Sequence, residues 1–135
     1  MNVIIYNNGN GVSVVFPTGE ASIDTLIANV IPEGADYSII DDVELPAKRD
    51  FRDAWVKVGD GIDHDFDKAK AITKDRLRAE RAPLLDKLDV DYMKAIEVSG
   101  DTVAIVAEKQ RLRDVTNLVD TATTLEELKG LSCQA

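Results

Sequence analysis

Cysteine, histidine and aromatic side chains are scarce in this chain of 135 residues. A single cysteine, Cys133, can form no disulfide within the chain, so no oxidising compartment is implied and the thiol is expected to be a bystander. One histidine, His64, with no second histidine and no cysteine cluster beside it, excludes a zinc site of the usual spacing. Aromatic residues make up 5% of the chain and include one tryptophan, Trp55. No apolar run approaches the length needed to cross a bilayer, and the opening MNVIIYNNGNG lacks both a basic segment and an apolar segment of the secretory kind. The expectation is a protein that is soluble and intracellular when made, with no membrane partner.

What is present suits one modest folded domain with an appendage. Apolar residues account for 44% of the chain and charged residues for 30%, which is enough to build a core and argues against global disorder. The formal charge of -9 is unevenly placed. Residues 1 to 50 carry eight acids against two bases, residues 51 to 66 four against two, and residues 67 to 135 thirteen against twelve. An acidic front repels phosphate, so nucleic acid is not expected as a partner there.

Two β-branched runs, VIIY and VSVVF, flank NNGNG, whose Asn and Gly tolerate the positive φ of a tight turn, so a hairpin is predicted. Pro17 and Gly19 close the second strand. Ser22 is placed to cap a short helix carrying Ile23, Leu26, Ile27 and Val30, stopped by Pro32 and Gly34, and Tyr37 to Ile40 reads as a third strand. Residues 1 to 50 thus form a small acidic β-β-α-β unit. Residues 51 to 66 are ambiguous between a helical turn and a short strand; we read them as an extended connecting arm on which Trp55 anchors against a groove.

From Asp67 the residues are strong helix formers, with no glycine until Gly100. Leu84, Leu85, Leu88, Tyr92 and Ile96 recur at helical spacing, SGD at 99 to 101 breaks the pattern, and Asp101 is placed to cap a second helix that folds back as an antiparallel hairpin. Pro83 interrupts the first helix with a kink or a restart. TTLEELKGL supplies a short last helix with a capping box. The fold class is therefore α+β: a small N-terminal β-hairpin and sheet unit with a short helix, then residues 67 to 135 as a long helical hairpin with a C-terminal helix.

Arm lengths raise a packing problem. Residues 67 to 98 as helix span about 48 Å and residues 102 to 115 about 21 Å, so the second arm covers less than half of the first. Phe66, Ala69, Ile72 and Leu77 on the uncovered half are left needing the front unit or another chain, which makes a homo-oligomer an expectation.

The acid-rich stretch GDGIDHDFDKAKAI invites three readings. Asp63, Asp65 and Asp67 have the spacing of the first ligands of a calcium loop, but Lys68 stands where the glycine belongs and Lys74 where the bidentate Glu belongs. Acid/base catalysis, such as a hydrolase using Asp63 and Asp65, would need one carboxyl in an apolar setting. The third reading has Asp65 or Asp67 capping the long helix, and it is the one we adopt. No catalytic residue, metal ligand or cofactor site is nominated, and the protein is read as not an enzyme. Lys70, Lys74, Arg78 and Arg81 share one side of the long helix as a basic stripe, readable as a solvated face, as a dock for an acidic protein surface, or as a nucleic-acid contact.

FRDAWV, DKAKAITKDRLRAERAPLLDKLDVDYMKAIE, VAEKQRLRDVTN and TATTLEELKGL, with the opening MNVIIYNNGNGVSVVFPTGE, resemble a family of small tail-associated proteins of tailed bacteriophages, encoded among tail-fibre and tail-assembly genes. The resemblance spans nearly the whole chain and implies a virion role. Either the protein is a structural connector near the baseplate or tail fibre, found in the virion tail after synthesis in the host cytoplasm, or it is a tail or fibre assembly chaperone not retained in the particle. It brings no catalytic or metal motif. On this reading the partners are other tail or fibre proteins, contacted by Phe51, Trp55 and Leu77, with Lys70, Lys74, Arg78 and Arg81 as a polar rim.

Overall fold

A computed structural model describes residues 1–134, and the chain is α+β. It divides into two compact units, Met1–Lys68 and the residues from Ala69 onward.

In the first unit, strands β1 (Asn2–Asn7) and β2 (Val12–Val15) form the predicted hairpin. Its turn closes through Asn side chains: Asn7 Oδ1 accepts from Gly9 N–H at 2.9 Å, and Asn8 Oδ1 accepts from Asn10 N–H at 2.9 Å. Gly9, at φ 89°, takes the left-handed conformation this turn requires. Helix α1 (Ile23–Val30) begins at Ser22, whose Oγ accepts from Thr25 N–H at 3.2 Å. Strand β3 (Tyr37–Asp41) then pairs antiparallel with β1, giving a sheet of order β2-β1-β3. Central strand β1 is apolar on both faces, which is why its sequence reads as a continuous run rather than an alternation. Val3, Ile4 and Ile5 are all fully buried.

Residues 51 to 66 are not an extended arm. After a single 3-10 turn at Arg52–Ala54 they fold into a second hairpin, β4 (Trp55–Val58) and β5 (Gly61–His64), and they lie within the first unit. Packing decides this. Trp55 is 0% exposed and completes a core with Val3, Ile5, Val12, Ile40 and Leu45, against which Val14 and Ile62 also pack. A side chain this large is stabilised more by closing an apolar cluster than by waiting for an external groove.

Helix α2 begins at Phe66, in the last residues of the first unit, and runs through the second to Glu97 without a break, with Pro83 inside it. The exposed position of Pro83 leaves its ring on the solvent side of the helix. Ser99, at φ 54°, and Gly100, whose N–H donates to Ala95 O at 2.7 Å, turn the chain out of the helix. Asp101 Oδ1 accepts from Val103 N–H at 2.9 Å and starts α3 (Val103–Asp114). The two helices are antiparallel, joined across their seam by Lys109 Nζ to Asp89 at 2.6 Å and by the Lys109 ammonium 5.3 Å from the Tyr92 ring centre. A 3-10 turn at Val115–Asn117, the short helix α4 (Leu118–Thr121) and α5 (Leu125–Gly130) complete the chain. Thr124 Oγ1 accepts from Glu127 N–H at 3.1 Å while the Glu127 carboxylate accepts from Thr123 N–H at 2.8 Å, the reciprocal cap the sequence predicts, shifted by one residue on the return bond.

Trp55→Ala is expected to lower the stability of the first unit by about 3–5 kcal/mol, measured by denaturant unfolding of the whole chain with circular dichroism. The Trp55 indole N–H is buried without an acceptor, so Trp55→Phe, which removes that donor and keeps most of the ring, should cost far less.

Candidate interaction surfaces

The sequence-nominated contact residues are placed first. Trp55 and Leu77 are 0% exposed and Phe51 is also buried, so none of the three is available to a partner in this conformation. The partner-contact expectation for them is corrected on that ground. Around Trp55 the sequence reading also missed two arginines. The Arg52 guanidinium carbon lies 4.3 Å from the ring centre and that of Arg49 lies 5.2 Å from it, close enough for cation–π attraction. Arg52 Nη2 donates to Val12 O at 2.6 Å. Burial, and next the neighbouring Arg49 charge, push the Arg52 pKa below its ordinary value, with Asp53 opposing.

The stripe Lys70, Lys74, Arg78 and Arg81 is largely engaged by its own chain. Lys74 Nζ meets Asp120 at 2.9 Å, and Arg78 meets Asp75 one turn away at 2.9 Å. Arg81 Nη1 donates to Leu112 O at 3.2 Å and Arg113 O at 2.8 Å, satisfying carbonyls at the end of α3 where cations are favoured. Lys70 is half-buried and also engaged.

Over residues 74 to 81, the half of α2 that the arm lengths left bare meets the C-terminal segment of its own chain. Arg76 organises the contact. Its Nη2 donates to Leu131 O at 2.7 Å and Leu128 O at 3.1 Å, while its Nη1 pairs with Glu80 at 2.8 Å. Glu80 in turn accepts from Cys133 N–H at 3.2 Å, the Cys133 thiol donates to Leu77 O at 3.3 Å, and Arg111 Nη2 donates to Cys133 O at 2.9 Å. Cys133 is thus a buried anchor of the second unit. Burial, and next the nearby Glu80 charge, push its thiol pKa up. The Arg76 hydrogen bond, helped by Cys133 N–H and opposed by desolvation, holds the Glu80 carboxyl below its usual range. The argument for self-association from an unsupported rod therefore does not hold over residues 74 to 81. No local sequence signal marks this brace; only the arm-length mismatch showed that a cover was needed.

At the other end of the hairpin the balance reverses. Every residue from Arg78 to Arg111 keeps part of its surface in solvent, and Val90, Met93, Ile96, Val98, Val103 and Val106 are exposed, Met93 to 60%. Two helices alone shield only the faces they turn to each other, so apolar side chains outside the seam stay in water. Val90, Met93 and Ile96 recur at three-residue spacing on α2, so these exposed side chains lie on neighbouring turns.

The acidic stretch resolves into ordinary backbone chemistry. Asp65 Oδ1 accepts from Asp67 N–H at 3.0 Å and Lys68 N–H at 3.2 Å, capping α2 as expected. Asp63 and His64 stand on β5, with His64 opposite Trp55 and Asp63 opposite Val56, instead of in a loop. Asp60 accepts from Ser38 Oγ at 3.1 Å. Among the described residues no group of three or more His, Cys, Asp or Glu side chains is placed to hold a metal ion, and no helix is long and apolar enough to cross a membrane.

No family model, curated protein sequence or solved structure matches this chain.

Two outcomes follow from the caps and the brace. Asp65→Ala should destabilise the start of α2 by about 1 kcal/mol, seen in thermal unfolding, and adding calcium should shift the melting of neither protein. Because the folded Glu80 pKa is depressed, its contribution is present above the ordinary carboxyl pKa and is lost as pH falls through the lowered value. The protection of amides 128 to 133, read by NMR as exchange relative to the intrinsic rate at each pH, should therefore fall on acidification in the native protein. In Glu80→Gln it should already be lower at neutral pH.

Proposed function

We propose that the protein is a non-enzymatic binding protein of tailed-phage tails, a structural connector near the baseplate or tail fibre that acts through protein–protein contacts. The observation that carries the binding part of this reading is the exposed apolar end of the helical hairpin, formed by Val90, Met93 and Ile96 of α2 and Val103 and Val106 of α3. A partner seated there would remove this surface from water at roughly 25 cal/mol per Å² of apolar area. The tail assignment rests on the resemblance of FRDAWV, the long helix and TATTLEELKGL to phage tail-associated proteins. It places the protein in the virion after synthesis in the host cytoplasm.

Quantitative mass spectrometry of purified particles tests the assignment. We expect the protein at a fixed number of copies per particle. A double substitution Met93→Lys and Ile96→Lys, on side chains that already face solvent, should leave folding intact and remove the protein from particles. Absence of the native protein from finished particles, together with stalled tails when it is deleted, would replace the connector by an assembly chaperone. Absence with normal tails would defeat both.

A further inference from the structure

The three-stranded sheet of the first unit has two edges, and they are treated differently. Hydrogen bonding in an antiparallel pair alternates, so every second residue of an edge strand turns its backbone N–H and C=O away from the neighbour. The bond from Asn8 N–H to Gly11 O at 3.1 Å sets that alternation on β2, where Val12 and Val14 face outward. The outward carbonyl of Val12 is taken by the Arg52 guanidinium. That edge has one of its outward carbonyls closed.

On β3 the bonds from Asn7 N–H to Asp36 O at 3.0 Å and from Asp42 N–H to Met1 O at 2.8 Å fix the phase. Ser38 and Ile40 turn their backbone groups toward β1. Tyr37, Ile39 and Asp41 turn theirs away, and among the described residues no backbone group meets them there. Tyr37 and Ile39, whose backbone groups turn outward, are 43% and 45% exposed, so solvent reaches β3 at these positions. Beside Tyr37 lies a cleft of about 350 Å³ lined by Ile27, Ile31, Pro32 and Glu33, large enough for one apolar side chain.

Charge selects what can pair with this edge. No Lys or Arg occurs before Lys48, while Glu20, Asp24, Glu33, Asp36, Asp41, Asp42 and Glu44 all do. Lys57 meets Asp36 at 3.1 Å, and the Met1 ammonium lies 3.4 Å from Asp41 and 3.1 Å from Asp42, which leaves the edge acidic on balance. A second copy pairing antiparallel about Ile39 would set Asp36 opposite Asp42 at both ends with Asp41 beside them, three carboxylates against the two cations Lys57 and the Met1 ammonium, and the excess of one sign opposes pairing. An unguarded edge that rejects its own copy by charge remains open to a strand of the other sign.

We propose that the outer edge of β3 is a docking site for an extended segment of a partner protein, about six residues of β-branched sequence flanked by lysine or arginine. The segment adds a fourth strand through the outward groups of Tyr37, Ile39 and Asp41 and places one apolar side chain in the cleft beside Tyr37. This names a partner chemistry for the protein-binding reading above and rests on that reading. The edge belongs to the first unit and the apolar hairpin end to the second.

The test uses the whole chain with two synthetic peptides of alternating Val and Thr, one flanked by Lys and one by Glu, followed by amide-detected NMR and calorimetry. The Lys-flanked peptide should bind about tenfold or more tighter than the Glu-flanked one, with a preference that shrinks as salt is raised. Amide shifts should centre on Tyr37, Ile39 and Asp41, whose hydrogen exchange should slow. Ile39→Pro removes an N–H that serves no bond in the free protein and should abolish binding. Ile39→Lys keeps the backbone and should weaken binding of the Lys-flanked peptide by charge alone. The proposal is overturned by equal affinity for both peptides, by shifts confined to residues 69 onward, by unchanged binding in both variants, or by dimers of the native chain that Ile39→Pro dissolves. Particle mass spectrometry is independent of these readouts, so a protein missing from virions that still binds the Lys-flanked peptide would sink the tail assignment and spare the edge.

Discussion

Two antiparallel helices can offer each other only one face apiece, and the architecture of the second unit follows from that limit. A long helix paired with a much shorter one has surface the shorter partner cannot reach, and something must cover it or it stays wet. Over residues 74 to 81 the chain covers it itself, with α4, α5 and the segment to Cys133 brought against α2. At the turn between α2 and α3 nothing among the described residues does so, and six apolar side chains stay exposed. The same constraint therefore gives a braced end and a sticky end of one hairpin.

The braced end shows how polar groups do work that apolar burial cannot. C-terminal carbonyls of short helices are orphaned by geometry, and here they are answered by arginines from α2: Arg76 for Leu128 and Leu131, and Arg81 for Leu112 and Arg113. Of the basic stripe that looks like a surface for an external anion, Arg81 is spent on such capping, while Lys74 and Arg78 pair with the carboxylates of Asp120 and Asp75. Arg52 plays the same part in the first unit, where it satisfies the outward carbonyl of Val12 and lies over the Trp55 ring. With that carbonyl engaged on β2, β3 is the edge whose outward backbone groups meet no backbone partner among the described residues.

Local chemistry was readable from the sequence wherever a residue's partner lies within a few positions of it. Ser22, Asp65, Asp101 and Thr124 cap their helices because a side-chain oxygen reaches an N–H two or three residues on, whatever the rest of the chain does. The hairpin at NNGNG, the β-β-α-β order and the helical pair are legible for the same reason, being set by periodicity and turn residues. Pro83 was harder, since a proline in a helix can end it or be carried through, and only the continuous α2 decides.

The amino-acid order alone thus determined the α+β class, the order of elements outside residues 51 to 66 and 115 to 121, the caps and the acidity of the front. Tertiary structure decided which large apolar side chains are spent: Trp55 and Leu77, plausible as contacts in a linear reading, are consumed in the two cores, while Tyr37, Ile39 and Met93 are left out. The physical reason is that burial belongs to a set of residues brought together from distant positions. Cys133 against Leu77, or Trp55 against Val3 and Ile40, leaves no trace in the spacing of either segment.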